Sequence, residues 1–141
     1  MASENAEVVR RLLEAFGRDD TDAQLAILHP DVELTEWPDS PSPQTFRGHA
    51  GALQARESWA EAWEWLRNDV EEMIEAGDKV ITCGRTVGKG KGSTIEVGVD
   101  AFNVYTVQGG KITRMEFFTE KEQALGAAGL SQSATKSEES R

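Results

Sequence analysis

Few side chains in this chain of 141 residues are equipped for chemistry, and their spacing narrows the field further. Its two histidines, His29 and His49, lie far apart, and Cys83 is the single cysteine. That pattern offers no recognisable metal-ligand spacing and no intrachain disulfide. His29 precedes Pro30 and His49 opens a helical run, so both read as turn and capping residues. Cys83 falls within strand-like alternation, where a small buried apolar side chain is expected rather than a reactive thiol. Gly88-Lys-Gly-Lys-Gly92 lies between two strand patterns instead of opening a helix. It is expected to be a hairpin loop and not a phosphate cradle. Glu36 is more promising: it follows Val32 and Leu34 at alternate positions, which puts a carboxylate on the apolar face of a strand. Trp59 and Trp63 stand four residues apart and are expected to share a helix face.

The elements that must hold these residues follow from the patterning. Residues 3–16 are expected to be helical, with Ser3 as cap, acidic residues in the first turn and Val8, Val9, Leu12, Leu13 and Phe16 on one face. Asp20-Thr-Asp22 offers a second cap, and that helix should run to His29-Pro30. Residues 32–37 read as a strand, 39–43 as a Pro-rich loop, and about 49–65 as a third helix. From about Leu66 to Phe118 the chain alternates in strand fashion. Gly77-Asp78, the Gly88–Gly92 loop and Gln108-Gly-Gly-Lys111 break the run into four long strands in meander order. A short Ala-rich helix follows, and residues 131–141 form a Ser/Glu/Lys tail expected to be disordered. The predicted fold class is α+β, a cone-shaped curved antiparallel sheet wrapped around N-terminal helices, as one domain over residues 1–130.

Composition sets the outer bounds. With 25 acidic and 15 basic residues the formal charge is −10, which argues against nucleic acid or an anionic membrane surface as partner. No apolar run reaches membrane-spanning length and the N-terminus carries no signal-peptide core, so a cytoplasmic protein is the expectation. The outward sheet face should carry Phe102, Val104 and Phe118. Exposed apolar residues there would favour a homodimer through that face.

The order helix, helix, His-Pro-Asp, strand, Arg-Gly-His, helix and four strands, with Gly-Gly-Lys-Ile-Thr-Arg near the end, resembles the nuclear transport factor 2-like superfamily. Within it the chain is most similar to the SnoaL-like polyketide cyclase group, over nearly everything from Glu4 to Leu130. The resemblance implies the cone fold with an apolar pocket. It does not fix a reaction, because the superfamily includes isomerases, hydrolases, dehydratases, cyclases and non-catalytic modules.

Residue by residue, the ketosteroid isomerase pattern puts its proton-shuttling carboxylate at Glu36, in Thr35-Glu-Trp-Pro38. On the pocket face of an apolar cone, desolvation would raise its pKa toward a useful range for a general base. The two oxyanion donors of that family fall on Leu12, which can donate nothing, and on Asn103, whose amide could polarise a carbonyl. The epoxide hydrolase pattern places its arginine on Arg85, but its two aspartates fall on Val87 and Phe117, so that proton relay is absent. Both alignments put Glu36 and Arg85 in one cavity, as an ion pair.

The resulting expectation is a cofactor-free acid–base enzyme acting beside a carbonyl of a small hydrophobic ligand. Glu36 is the base, Asn103 the oxyanion donor and Arg85 the orienting group. Trp37, Trp59, Trp63, Val87, Val99, Ala101, Met115 and Phe117 are expected to line the pocket. Asp100 and Glu116 should point away from it. The competing expectation is a non-catalytic ligand-binding or assembly module in which Glu36 and Arg85 only hold the fold together.

Overall fold

The computed structural model describes residues 4–36 and 44–130. Ser3 with its capping role, Trp37, the 39–43 loop and the 131–141 tail lie outside the described residues. The chain opens with α1 (Glu4–Gly17) and α2 (Thr21–Ile27), followed by β1 (Leu28–Thr35), β2 (Thr45–Arg47) and α3 (Gly48–Ala62). Four long strands come next: β3 (Trp63–Ala76), β4 (Lys79–Gly90), β5 (Glu96–Gln108) and β6 (Lys111–Phe118). The last element among the described residues is α4 (Lys121–Ala127).

The helical pattern of α1 buries Val8, Val9, Leu12 and Ala15 along one stripe. Asp20 caps α2, its Oδ1 accepting from the Ala23 N–H at 3.1 Å. That helix stops at Ile27, two residues before the expected end. Leu28, His29 and Pro30 open β1 instead, consistent with the extended backbone that a proline imposes on the residue before it. The third helix also ends early. Trp63 and Trp65 leave it to pair with Gly90 and Lys89, because a β-forming aromatic run joins the ladder once β4 lies alongside. Strand β2 was not expected from its three residues; it pairs with β1, Leu34 opposite Phe46.

The six strands run in the order β2-β1-β6-β5-β4-β3. Neighbours are antiparallel except β1 and β6, which are parallel. The β5–β6 turn holds Gly109 at φ 60° and Gly110 at φ 78°, so both positions of this two-residue turn use the left-handed region that glycine enters freely. Register shifts between Val70 and Glu72 and between Thr106 and Val107 interrupt the ladders, and such bulges bend a sheet.

One sheet face packs on α1 and α3. Its core includes Val9, Leu12, Leu34, Val80, Tyr105, Ile112 and Met115. The other face carries Ile81, Cys83 and Val104 beneath Ala124 and Leu125 of α4, with Phe102 and Phe118 packed against them. The outward apolar face expected to be open to a second copy is therefore covered here by the chain's own last helix. Val104 is fully buried, and Phe102 and Phe118 are partly buried beside α4. Burial also pushes the Cys83 thiol pKa up, with Glu72 adding to the effect. No helix among the described residues is long and apolar enough to cross a membrane.

Candidate active site

Between the helical cover and the concave sheet face lies one cavity of about 980 Å³, its open mouth included. Leu12, Leu13 and Phe16 of α1 and Gln24 of α2 form the helical wall. Ala52 and Trp59 come from α3, and Trp63, Leu66 and Asn68 from β3. The sheet contributes Leu28 and Leu34 of β1, Thr86 of β4, Asn103 and Tyr105 of β5, and Met115 and Phe117 of β6. Glu36 closes the set just beyond the end of β1. A largely apolar cavity with a few polar groups is the usual form of a small-molecule site. Among the described residues no three potential metal ligands come together.

Glu36 reaches the cavity because Val32, Leu34 and Glu36 alternate onto the inner side, with Val32 and Leu34 buried and Glu36 half-buried. Its backbone N–H donates to the Gln44 carbonyl at 3.0 Å, and its Oε1 accepts from the Gln44 N–H at 3.2 Å. These bonds tie the carboxylate to the start of β2 while it still borders the cavity. Trp59 and Phe117 meet edge to face, with centroids 6.0 Å apart and planes at 76°, an aromatic wall formed from a helix and a strand.

The β4–β5 register decides which residues look inward. Val80 pairs with Tyr105, Thr82 with Asn103, Gly84 with Ala101 and Thr86 with Val99. These pairs share the concave face, as Tyr105, Asn103 and Thr86 show by lining the cavity. The intervening pairs, Ile81 with Val104, Cys83 with Phe102, Arg85 with Asp100 and Val87 with Gly98, belong to the opposite face.

Arg85 and Val87 are therefore corrections: both point away from the cavity. The Arg85 guanidinium donates to Asp100 Oδ1 at 3.1 Å, with both side chains more than half exposed. The expected Glu36–Arg85 ion pair does not form. Directly opposed residues share a face, so Asp100's outward direction carries Arg85 with it. Val99 and Ala101 do share the Asn103 face, but neither lines the cavity: Val99 is 46% exposed beyond its rim and Ala101 is buried opposite Gly84. Arg67 also borders the cavity, but it stands opposite Val87, so its side chain follows the outer face, where Nε donates to Asp69 Oδ1 at 2.7 Å and the guanidinium lies 5.4 Å from the Trp65 ring centre. Glu36, Asn103, Trp59, Trp63, Met115 and Phe117 all line the cavity.

Sequence reasoning missed Gln24 and Tyr105. Tyr105 carried a signal, since it lies two residues past Asn103 on the same strand and so on the same face. Gln24, one of three polar residues in a seven-residue helix, carried none. The Tyr105 hydroxyl stands beside the side chains of Thr82 and Asn103. Burial pushes its pKa up to about 12, against the opposing pull of those two neighbours, so it is un-ionised at neutral pH. The three groups are neighbours rather than a closed network: Thr82 Oγ1 and Asn103 Oδ1 are buried without a hydrogen-bond partner.

The architecture is shared with solved proteins. An NTF2-like protein of unknown function from Burkholderia pseudomallei is 25% identical, with a TM-score of 0.77 over 89% of this chain and 97% of that one. TerC, co-crystallized with polyporic acid, is 25% identical, with a TM-score of 0.74 over 90% of this chain and 99% of that one. A protein from Catenulispora acidiphila with a ketosteroid isomerase-like fold, in complex with trimethylamine, shares the fold at 18% identity, with a TM-score of 0.71 over 88% and 93% of the two chains. None of the curated proteins matches the sequence. The sequence profile of the SnoaL-like domain matches residues 9–115, more than half of the chain, and the chain belongs to that family within the NTF2-like fold.

Proposed function

We propose that the cavity binds a small, largely apolar carbonyl compound and that Glu36 moves a proton at the carbon next to the carbonyl. The observation that carries this reading is a carboxylate bordering a largely apolar, aromatic cavity, with a buried carboxamide, Asn103, in the wall of the same cavity. A carboxylate that borders ligand space accepts a proton from a bound molecule, and Asn103 meets a substrate oxygen as charge shifts onto it. Trp59, Trp63, Met115 and Phe117 supply the apolar contact that holds the framework and keeps water out. Arg85 has no part in this chemistry. Isomerisation, cyclisation and dehydration share this first step.

The alternative, a ligand-binding module without turnover, draws support from the bond between Gln44 and the Glu36 carboxylate, which also anchors the start of β2. The two readings separate on Glu36→Gln, which keeps shape and removes the base. Polyporic acid, found with the relative TerC, and simple ring ketones such as α-tetralone serve as probes, binding being read by quenching of Trp59 and Trp63 fluorescence. Exchange of the protons beside the ketone is then followed in deuterated water. Wild type should accelerate exchange, and Glu36→Gln should lower the rate by roughly 10²–10⁴-fold while binding persists. Equal exchange by both forms removes Glu36 as the base, and binding with no exchange by either favours the module.

A further inference from the structure

Two amide atoms in the cavity wall are unspent. Gln24 Nε2, a donor, and Asn103 Oδ1, an acceptor, are both shielded from solvent, and neither has a hydrogen-bond partner. Both residues line the same cavity, Gln24 from the helical cover and Asn103 from the sheet. Asn103 is 3% exposed, fixed in the middle of β5 opposite Thr82 and Phe117. Buried polar groups in folded proteins nearly always find partners, and leaving one unmade costs free energy comparable to a lost hydrogen bond. Thr82 and Tyr105 stand near Asn103, yet among the described residues no group hydrogen-bonds either Gln24 Nε2 or Asn103 Oδ1.

The polarity of the two atoms is informative. A donor on one wall asks for an acceptor, and an acceptor on another asks for a donor. A plain hydrocarbon would leave both unmade, a simple ketone would meet only the first, and an alcohol bound at the sheet would meet only the second. An anionic ligand would set a negative charge opposite the Asn103 carbonyl oxygen and near Glu36. The complementary molecule is neutral and carries both functions on one apolar framework.

We propose that Gln24 and Asn103 form a two-point clamp selecting a hydroxy-carbonyl ligand, the carbonyl accepting from Gln24 Nε2 and the hydroxyl donating to Asn103 Oδ1. The inference rests on the cavity being a ligand site, as proposed above, but not on Glu36 being a base; in this pose Gln24 Nε2 takes the carbonyl and Asn103 holds the hydroxyl, in place of the oxyanion role given to Asn103 above. It gives the helical cover a specificity role that the sequence did not reveal, and it supplies the carbonyl donor that Leu12 cannot be. Thr82 and the un-ionised Tyr105 hydroxyl border the Asn103 end and keep it polar without occupying its oxygen.

The test is a matched series on one framework, with affinities measured by calorimetry: tetralin with no oxygen, α-tetralone with the carbonyl, tetrahydronaphthol with the hydroxyl, and the phenolic hydroxy-α-tetralone isomers with both. At least one isomer should bind about five-fold tighter than α-tetralone and about five-fold tighter than tetrahydronaphthol, the factor worth one ordinary hydrogen bond. Gln24→Leu should reduce that isomer to the affinity of tetrahydronaphthol, and Asn103→Leu to that of α-tetralone. If no isomer outbinds the single-function ligands, or if the advantage survives either substitution, the clamp is overturned while the pocket stands. If none of the series binds, tetralin included, the ligand-site reading falls and the clamp with it. Should a leucine variant fail to fold, Gln24→Met and Asn103→Val give the same comparison, and the wild-type series decides the ligand class without any variant.

Discussion

Tyr105 is the chain's single tyrosine, and its burial makes a quantitative forecast. The residue is 3% exposed, and burial raises its folded-state pKa from the ordinary 10.0 to about 12. The unfolded chain releases the proton first, so the folded state binds more protons between those values and stability must fall as pH rises. The contribution is complete below pH ~10, smaller by roughly 1.4 kcal/mol at pH ~11, and smaller by roughly 2.7 kcal/mol once pH passes ~12. Other groups also titrate in this range, so the comparison is with Tyr105→Phe, which keeps the ring and removes the ionisation. Urea unfolding of both proteins at closely spaced pH values should give curves that converge in the stated direction, wild type losing more. In parallel, tyrosinate absorbance of the native protein should stay low until pH approaches ~12 and jump on unfolding. A native tyrosine that titrates near 10, or two stability curves that stay parallel, would show that the hydroxyl is solvated and that the cavity floor is not as described.

Other substitutions probe the frame around the site. Gly84 lies beside the bulge in β3, and a Cβ added there would sit 1.9 Å from the Asp69 carbonyl oxygen, a backbone atom with little room to move. Gly84→Ala should lower stability by about 1–3 kcal/mol and the thermal midpoint by several degrees. Gly126→Ala in α4 meets nothing within 4 Å and should instead gain up to about 1 kcal/mol, so similar melting shifts for the two would contradict the strand packing. Arg85→Gln breaks an exposed pair with Asp100 on the far sheet face, so it should change stability by less than about 1 kcal/mol and leave ligand affinity and proton exchange unaltered. A large loss of binding in that variant would mean that the strand faces inward at Arg85 after all.

The amino-acid sequence by itself determined the elements and their order. The apolar stripe of Val8, Val9 and Leu12, the Asp20 cap, the Gly109-Gly110 turn and the long alternating runs are local signals, each set by backbone geometry within a few residues. Alternation also sufficed for Glu36, because Val32 and Leu34 have polar neighbours and only one apolar face. Tertiary structure decided where local signals were balanced. In β4, Ile81 and Cys83 face α4 while Val80 and Thr82 face the other core, so both sides of the strand are covered and its pattern could not say which side held the cavity. Alignment to the family patterns put Arg85 inward, and the strand's own alternation held nothing to correct it. The ladder with β5, which ties Arg85 to Asp100, fixes the phase, and that pairing joins residues distant in the chain. Trp63 likewise went to a strand because β4 was there to pair with it. Gln24 and Asn103 became visible as a pair only when helix and sheet closed on each other, since an amide's missing partner is a property of the packed interior and not of its neighbours in sequence.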